Sequence, residues 1–424
     1  MNRLMICVSC STLIVTVSSK NQVIEMKIAV LTSGILPVPS VEGGAVEKLV
    51  DFFLQYNEEV AHHDITVFSI DRRHHASRSL SSHTFVHYRF LEVSSFFTHT
   101  KRWLSKYLFP KGYYDYRINY YERWALRQIA GEEFDIVLIE NRPGFAINLR
   151  PLTKALIVSH LHNDLLNSST HRCKEIVVAT DRYLCVSNFI ADRVKTATGE
   201  SAWVKTVYNG IDTKHFNTKV PHPSVTRKTL KLHEDDFVVV FFGRITPEKG
   251  VKELLEAMLL LKQPYPKIKL LLIGSAFYGA NETTTPFIRS LLPLIQQLGD
   301  NVVTTGFVHN TLLPQYLHLS DVAVVPSVWE EPSGLVIPEA QAAGLPVITT
   351  RCGGIPEILG QGGIALEVDE QFVSRLSETI LQLYLHLEQR QQYLISYPTH
   401  LSYYDKHRFA QEMTETLESW NDRQ

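Results

Sequence analysis

The sequence predicts an α/β protein built from two similar units, each a mostly parallel β-sheet with helices on both faces. Apolar segments of strand length alternate with helical segments from Met26 onward. The alternation stops near Asn209 and starts again at Phe237, after a polar segment that contains prolines. Such alternation favours a parallel sheet covered on both faces. At 424 residues the chain also exceeds the usual size of one domain. A cleft between two Rossmann-like units is therefore the expected ligand site.

Composition restricts the class of protein further. Hydrophobic residues make up 45% and charged residues 20%, which is typical of a globular chain rather than a disordered one. The net charge of −2 gives no indication of nucleic-acid binding. The five cysteines are few, odd in number and scattered, which favours a reducing compartment over a disulfide framework. We therefore expect a cytoplasmic protein.

Residues 1–25 form an uncertain N-terminal extension. The apolar run from Leu4 to Val17 follows Arg3 and has the length of a signal-peptide core, although it is short for a membrane span. The segment MKIAVLTSG, from Met26, is typical of a first β-strand. We favour Met26 as the true start of the protein over a targeting or membrane role for residues 1–25.

The first unit is expected to span residues 26–215. A turn that contains Gly43 and Gly44 follows its first strand, and Ala45 to Tyr56 has helical spacing of apolar residues. The predicted strands are Lys27 to Thr32, Asp64 to Ile70, Asp135 to Glu140, Ala155 to Ser159 and Arg182 to Val186. Ser187, just after the last of these strands, is expected to cap the next helix.

One part of the first unit does not follow this pattern. Eleven aromatic residues lie between Phe96 and Trp124, with basic residues among them. This mixture suits peripheral contact with the inner face of a membrane, where aromatic rings sit at headgroup depth and cations meet anionic lipid. It suits equally well an aromatic helix pair packed on the sheet. The exposure of the rings distinguishes the two interpretations.

The second unit is expected to span residues 216–400, with the best linker at His215 to Asp236. Its predicted strands are Phe237 to Phe242, Lys267 to Ile273, Asn301 to Phe307, Val322 to Pro326 and Pro346 to Thr349. Its predicted helices are Val251 to Leu261, Phe287 to Leu298, Thr311 to Leu319 and Gly354 to Leu359. The rest of the chain is helical in pattern, with a break at Tyr397 and Pro398. Residues 401–424 hold a last helix without a strand partner, which we expect to cross back to the first unit.

Two segments of the second unit are candidates for ligand binding. The first, Gly243 to Gly250, follows a strand directly and opens into a helix, and its Arg244 and Lys249 suit a diphosphate. The alternative is a turn whose basic residues simply face water. This spacing is not that of a P-loop.

The second candidate segment is Val328 to Thr349. A carboxylate can accept hydrogen bonds from a vicinal diol, so Glu331 or Glu339 could hold a ribose or a sugar ring. Gly334 and Leu335 would present backbone N–H groups to a phosphate at the start of a helix. Taken alone, two glutamates in such places are most often solvated surface residues, and we expect this of Glu330.

These segments resemble the retaining glycosyltransferases of family 4, which have the GT-B fold. The resemblance is carried by EPSGLVIPEAQAAGLPVI, from Glu331, and FFGRITPEKGVKELLEA, from Phe241. The family signature is two glutamates separated by seven residues, which Glu331 and Glu339 match. CGGIPEIL, YNGIDTKHF and GILPVPSVEGGAVEKLV resemble further family motifs, and the likeness runs from about residue 26 to about residue 390.

The resemblance implies transfer of a sugar from a nucleotide sugar, with retention at the anomeric carbon and without a required metal or other cofactor. By analogy, Glu339 would hold the donor ribose and Glu331 would contact hydroxyls of the donor sugar. Arg244 and Lys249 would stabilise the diphosphate leaving group. Gly44 would place its N–H near the phosphate from the opposite unit, with Gly43 allowing the turn.

The family also places a histidine near the donor sugar, after a middle strand of the first unit. The segment SHLHND offers His160 and His162. His162 fits the family pattern better because it precedes Asn163, whereas His160 is expected to be an ordinary histidine at the end of a strand. The nearby Glu140 to Pro143 resembles bacterial relatives that build surface polysaccharide or spore coat. Arg142 could meet a substrate there, although a turn before Pro143 explains it as well.

The sequence thus predicts a metal-independent hexosyltransferase that uses a nucleotide sugar, with UDP as the expected nucleotide. The expected acceptor is a glycan or a lipid-linked molecule of cell-surface polysaccharide or lipopolysaccharide synthesis. Two alternatives keep the fold: a sugar-nucleotide epimerase, or a non-catalytic nucleotide-sugar-binding scaffold. The sequence argues against both, because the glutamate spacing occurs together with the Arg244 and Lys249 pair and every expected catalytic position is filled.

Overall fold

A computed structural model describes residues 26–80, 83–93, 99–101, 103–104, 113–200, 203–217, 223–275 and 285–422. Within these residues the chain forms two parallel sheets, one in each half of the chain. The uncertain extension at residues 1–25 lies outside them.

The first sheet has seven strands in the order β3-β2-β1-β4-β5-β6-β7 among the described residues, and every pairing is parallel. The strands are β1 Lys27–Leu31, β2 Asp64–Asp71, β3 Val86–Glu92, β4 Ile136–Glu140, β5 Leu156–Leu161, β6 Arg182–Cys185 and β7 Val204–Thr206. The helices are α1 Ala45–Tyr56, α2 His75–Arg78, α3 Tyr116–Ile129, α4 Phe145–Leu149, α5 Cys173–Ala179, α6 Asn188–Thr198 and α7 Thr213–Asn217. A π-helical turn, Asn57–Ala61, extends α1.

The second sheet has six strands in the order β10-β9-β8-β11-β12-β13 among the described residues. They are β8 Phe237–Phe242, β9 Ile268–Ile273, β10 Val302–Gly306, β11 Val322–Val325, β12 Val347–Thr350 and β13 Gly363–Leu366. The helices are α8 Val251–Lys262, α9 Pro286–Leu298, α10 Leu313–Leu317, α11 Val336–Ala342, α12 Ile355–Leu359, α13 Phe372–Leu385, α14 Leu387–Leu394, α15 Tyr397–Ser402 and α16 Lys406–Asn421. The predicted fold class, two Rossmann-like units, is confirmed.

Burial explains why the central strands have no alternating pattern. All six residues of β8, FVVVFF, are buried, as are all five of β4. A parallel strand with helices on both faces buries both of its side-chain rows, so it appears in the sequence as a continuous apolar run. Ser187 caps α6 as expected, since its hydroxyl accepts a hydrogen bond from the Ile190 N–H at 3.2 Å.

The predicted break at Tyr397 and Pro398 lies within two residues of an observed one. Helix α14 ends at Leu394 and α15 begins at Tyr397, with Pro398 in its first turn, and a further interruption at His386 separates α13 from α14. Proline lacks a backbone N–H, and the first turn of a helix is where that N–H has no helical partner. The residue therefore starts a helix here instead of ending one.

The last helix, α16, packs on the first unit. Phe409, Met413, Leu417 and Trp420 are buried in the same apolar cluster as the strands β1 and β4 and helix α1. The imidazole of His63, which follows α1, lies 3.0 Å from Glu418 of α16. The chain therefore returns to its first half after completing the second.

A second contact joins the two units close to the cleft. The Glu357 carboxylate, on α12, accepts hydrogen bonds from the backbone N–H groups of Asn188 and Phe189, both at 2.8 Å. These groups are at the N-terminus of α6, where helix N–H groups lack helical partners and a carboxylate is favoured. The Asn209 side chain also donates a hydrogen bond to Ser333 at 3.2 Å.

Candidate active site

Two loops form the second unit's wall of the candidate site. The Val328 N–H donates a hydrogen bond to the Glu248 carbonyl at 3.0 Å, so the segments 243–250 and 326–335 run side by side. Gly250 has φ +67°, and a Cβ there would lie 1.8 Å from the Pro326 carbonyl oxygen. Only glycine permits this close approach. Both loops lie at the carboxyl ends of β8 and β11, the edge where open α/β sheets bind ligands.

The structure brings Lys249 and Glu331 together across these loops. The Lys249 ammonium lies 2.6 Å and 2.9 Å from the two carboxylate oxygens of Glu331. The Trp329 indole N–H donates to the same carboxylate at 2.6 Å, and the Ser327 hydroxyl donates at 3.4 Å. The Glu331 carboxylate is therefore nearly buried and held by three donors.

Arg244 lies on the same loop but is more exposed. Its guanidinium is 3.7 Å from the Glu248 carboxylate, one helical turn along the chain. A pair at this separation and exposure is weak.

Glu339 lies in the first turn of α11 and is partly buried. Burial raises the pKa of Glu339 to about 7, and the Lys48 ammonium of α1, in the first unit, partly opposes that rise. Within the described residues, no side chain donates a hydrogen bond to this carboxylate. Glu339 is thus a carboxyl group that faces the opposite unit without a fixed partner.

Gly334 and Leu335 lead into α11. Gly334 has φ +67°, a conformation in which a side chain would be strained. Leu335 packs against apolar clusters of both units. Among the described residues, no acceptor pairs with the N–H groups of Gly334 and Leu335. These groups therefore line the cleft where the two units meet.

The glycine loop of the first unit forms the opposite wall. Gly44 precedes α1 with φ +102°, and a Cβ there would lie 2.1 Å from a carboxylate oxygen of Glu47. Glu47 is buried, and burial raises its pKa to about 7. Gly43, with φ +81°, makes the turn by donating to the Ser40 carbonyl at 3.0 Å. The two glycines let the loop fold closely over the start of α1.

The two candidate histidines share one carboxylate. Glu140 Oε2 lies 2.8 Å from His162 Nε2 and 3.1 Å from His160 Nδ1. All three side chains are buried, and the imidazole centroids are 4.0 Å apart. The expectation that His160 is an ordinary strand-end histidine is therefore incomplete, because it belongs to the same cluster as His162.

Charge and burial act strongly on this cluster. Burial raises the pKa of Glu140, but the two imidazoles outweigh it and lower that pKa to about 2. Burial and the neighbouring His160 lower the pKa of His162 to about 4, although Glu140 acts in the other direction. At neutral pH, Glu140 is thus ionised and His162 is neutral.

Arg142 lies at the edge of this cluster. Its Nε donates to the Ser33 carbonyl at 3.3 Å, and its guanidinium stacks 5.1 Å from the centre of the Tyr114 ring. These contacts hold the side chain against the first unit. They account for Arg142 without a substrate.

Among the residues that the structure describes, two side-chain groups have a geometry that a metal ion could use. Glu140, His160 and His162 form one, and Asp71, His74 and Glu92 form the other, with the ligand atoms of each group within 4.8 Å of one another. Independence from metal therefore stays a prediction.

Four residues near the site were not singled out as site residues by the sequence: Glu140, Glu47, Lys48 and Trp329. The sequence contains only weak indications of a role for Glu140 and Glu47. Glu140 is a charged residue at the end of an apolar strand, and Glu47 is an acidic residue just after a double glycine. No local pattern distinguishes Lys48, since its importance comes from the opposite unit. Trp329 lies next to the solvated Glu330 and is itself 40% exposed.

The aromatic-basic segment is described only in part. Tyr121 is buried, and Tyr114, Tyr120 and Trp124 pack against the same apolar cluster of the first sheet. For residues 113–124 the structure therefore favours packing over membrane contact. Trp103 is 56% exposed, while residues 94–98, 102 and 105–112 lie outside the described residues. Among the described helices, none is long and apolar enough to cross a bilayer.

Comparison with known proteins identifies the family. The model for glycosyl transferases group 1 matches residues 224–397, and the model for Glycosyltransferase Family 4 matches residues 61–215. The chain is 28% identical over 375 residues to Spore coat protein SA of Bacillus subtilis, covering 84% of this chain and 90% of that one. It is 25% identical over 236 residues to the lipopolysaccharide 1,2-N-acetylglucosaminetransferase of Salmonella typhimurium, covering 55% of this chain and 59% of that one.

The fold is also that of a solved structure. Anabaena Alr3699/HepE, crystallised in complex with UDP and glucose, superimposes with a TM-score of 0.69 at 20% identity. The match covers 93% of this chain and all of that one. Together with the two family models and the glutamate pair at the cleft, this shows that the chain is a glycosyltransferase of family 4 with the GT-B fold.

Proposed function

We propose that this glycosyltransferase takes its sugar from a nucleotide sugar, with UDP as the nucleotide, and transfers it with retention of anomeric configuration. The observation that carries the proposal is the Lys249–Glu331 pair at the carboxyl edge of the second sheet. It holds an ammonium group at the mouth of a strand–helix turn, beside the more exposed Arg244. Two cations in one loop suit a diphosphate, whose negative charge grows as the sugar leaves.

Each remaining polar group has a role that its surroundings support. Glu339 lacks a fixed hydrogen-bond partner within the described residues, so its carboxylate is available to accept from the two hydroxyls of a ribose. The N–H groups of Gly334 and Leu335 are available to phosphate oxygens. Gly44 and His162 would approach the same ligand from the first unit, the backbone of Gly44 at the phosphate and His162 at the sugar.

Glu331 has two tasks in this scheme. In the ligand-free protein it fixes the Lys249 ammonium. When a diphosphate binds, the Lys249 ammonium passes from Glu331 to the phosphate oxygens, and the Trp329 indole keeps the carboxylate of Glu331 in place to meet a sugar hydroxyl. Glu331 is thereby the candidate catalytic carboxylate, and Glu339 is a binding residue.

The choice of UDP and of the acceptor is supported by likeness alone. The solved relative Alr3699/HepE contains UDP and glucose, and one sequence relative is named for a lipopolysaccharide sugar transfer. We propose an acceptor of the same chemical class, a glycan or a lipid-linked sugar of a cell-surface polysaccharide. The reaction would take place in the cytoplasm, at the inner face of the membrane if the acceptor carries a lipid.

A screen of nucleotide sugars by thermal shift, followed by a radiolabelled transfer assay, tests the proposal. Binding of the donor to the folded protein raises the melting temperature. We expect one UDP-sugar to stabilise the protein and to transfer label to a glycan acceptor, with an unchanged anomeric configuration by NMR. Conversion of the free nucleotide sugar into its epimer would support the epimerase, and binding without turnover would support the scaffold. Inversion at the anomeric carbon would refute the retaining assignment.

A further inference from the structure

The Glu357 carboxylate extends from the second unit to the first, where three groups donate hydrogen bonds to it. They are the backbone N–H groups of Asn188 and Phe189, both at 2.8 Å, and the Tyr208 hydroxyl at 3.0 Å. Asn188 and Phe189 begin α6, and Tyr208 follows β7, so all three donors belong to the first unit. The first N–H groups of a helix have no helical partner, and a carboxylate is favoured there. Glu357 therefore caps a helix of the opposite unit.

The partners of Glu357 are themselves held in place. The Tyr208 hydroxyl accepts from the Asn188 side-chain amide at 2.7 Å, and the oxygen of that amide accepts from the Thr206 hydroxyl at 2.9 Å. The Tyr208 ring packs edge-to-face on Tyr404, whose hydroxyl donates to the Glu357 carbonyl at 3.1 Å. A shift of Glu357 relative to the first unit would therefore break several hydrogen bonds of one network.

A short segment of backbone connects Glu357 to the loop that carries Glu331. The Gly354 N–H, three residues before Glu357, donates to the Glu331 carbonyl at 2.7 Å. Gly353 packs just as closely, since a Cβ there would lie 2.4 Å from the same carbonyl oxygen. A Cβ at Gly354 would also lie 3.1 Å from the hydroxyl of Ser187, the residue that caps α6. The backbone of Glu331 is thus tied to α12, and α12 is tied to the first unit.

The other end of this connection lies at the carboxyl edge of the first sheet. Helix α6 begins just after β6, which pairs in parallel with β5. The same edge carries the glycine loop, which follows β1 and forms the opposite wall of the candidate site. The contact between Glu357 and α6 therefore determines how the Glu331 loop is placed against that wall.

We propose that Glu357 is a positioning residue for the transfer reaction, which sets the Glu331 loop against the first unit by capping α6. This inference rests on the proposed function, because it is there that Glu331 is the candidate catalytic carboxylate. Glu357 is not among the groups that we assign to the donor, and it acts through the backbone of Glu331. A misplacement of about 1 Å that originates far from the chemistry can cost roughly hundredfold in rate.

The Glu357→Gln variant tests this role, and the chain offers a matched control. Glutamine keeps the shape of the side chain but has one acceptor oxygen, and its NH₂ group then faces a donor. The control is Glu58→Gln. The Glu58 carboxylate also accepts from backbone N–H groups, those of Phe85 at 2.8 Å and Val86 at 2.7 Å, but these residues lie in the same unit as Glu58. We expect both variants to unfold at a lower urea concentration than the wild type.

Turnover and nucleotide binding should respond differently to Glu357→Gln. With the UDP-sugar that the screen selects, we expect kcat to fall about tenfold or more, because Glu331 is misplaced. The Kd for UDP should stay within about twofold of the wild-type value, since Lys249 and Glu339 lie in the second unit and keep their places. Glu58→Gln should leave both constants unchanged.

Three kinetic results would overturn the proposal. The first is a wild-type kcat in Glu357→Gln. The second is an equal fall of kcat in Glu58→Gln, since lost stability would then explain the effect. The third is a loss of UDP affinity as large as the loss of kcat, because the damage would then lie within the second unit.

A double variant tests whether Glu357 acts through the contact with the first unit. Tyr208→Phe removes one of the donors to Glu357. Because Glu357→Gln and Tyr208→Phe break the same contact, their effects on kcat should be less than additive in the double variant. Full additivity would contradict a shared contact.

Hydrogen exchange measures the contact in the full chain without a substrate. The peptide that contains the N–H groups of Asn188 and Phe189 should exchange faster in Glu357→Gln than in the wild type, and at the wild-type rate in Glu58→Gln. Unchanged exchange in Glu357→Gln would overturn the proposal. Lack of transfer by the wild type would refute the proposed function and the positioning role with it, whereas an active wild type with an equally active Glu357→Gln would refute the positioning role alone.

Discussion

Removing Lys249 should destabilise the second unit, because it leaves the Glu331 carboxylate nearly buried without its cation. The Lys249 side chain is only 19% exposed and the Glu331 side chain 12%, and Lys249 Nζ lies 2.6 Å from Glu331 Oε1. At an effective dielectric constant of about 20, the attraction at that distance is roughly 6 kcal/mol before desolvation is counted. Removing one member of a buried pair costs about 3–5 kcal/mol. We expect the lower end for Lys249→Met, about 3 kcal/mol, because the Trp329 indole still donates to Glu331.

Urea denaturation of the ligand-free protein measures this cost, and a double-mutant cycle separates the pair from its surroundings. The double variant Lys249→Met/Glu331→Gln removes the unpaired charge, so it should recover most of the stability lost in Lys249→Met. Lys252→Met is the matched control on the neighbouring helix α8. Lys252 is 3.5 Å from Glu256 and is 56% exposed, so its loss should cost less than about 1 kcal/mol.

Binding of UDP should weaken in the same variant. Lys249→Met would remove the charge-assisted hydrogen bond to phosphate that we propose, which corresponds to roughly tenfold to hundredfold in affinity. The predicted cost of leaving Glu331 without its cation is refuted if Lys249→Met is no more destabilising than Lys252→Met. It is also refuted if the effects of the two single variants at the pair simply add in the double variant.

Four further predictions concern other parts of the molecule. Glu339→Ala should raise the KM for the donor, whereas Glu331→Ala should lower kcat more than nucleotide affinity. Because burial raises the pKa of Glu339 from 4.5 to about 7, the folded state loses stability as pH rises from about 4.5 to about 7. The gain in melting temperature of Glu339→Gln over the wild type should therefore be larger at pH 8 than at pH 5, and a constant difference would contradict this. Phe409→Ala should destabilise the first unit by about 3–5 kcal/mol in urea denaturation, because Phe409 of α16 is fully buried there. The control is Gln411→Ala, at an exposed position of the same helix, which should change the free energy of unfolding little. Transfer activity should survive EDTA, and a loss that Mg²⁺ or Mn²⁺ restores would refute the metal-free mechanism.

The position of a strand in its sheet affects how clearly the sequence predicts it, although the edge strand β10 was predicted. The central strands are buried on both faces and appear as apolar runs, so they were predicted to within a residue or two. The three that were missed, β3, β7 and β13, all lie at a sheet edge. Five of the seven residues of β3 are not fully buried, and no residue of β13 is fully buried. An edge strand pairs on one side only and keeps polar residues, which removes the continuous apolar signal.

The site is predictable to the extent that its residues belong to one loop. Glu331 and Glu339 share a turn and a helix, and Arg244 and Lys249 share another turn, so local spacing and family likeness together indicated all four. Glu140 and His160 are twenty positions apart and become neighbours only through the pairing of β4 with β5. Propensity and periodicity carry no information about that register. The importance of Glu140 therefore appears only after the sheet is assembled.

The structure also changes the interpretation of Lys249 and Glu331, two of the four residues that the sequence identified. Lys249 and Glu331 were given separate tasks, one on the diphosphate and one on the sugar, yet they neutralise each other before any ligand is present. If a diphosphate binds as we propose, it competes with Glu331 for the Lys249 ammonium. Nucleotide binding would then free the Glu331 carboxylate to meet the sugar. UDP alone would thus prepare the sugar side of the site.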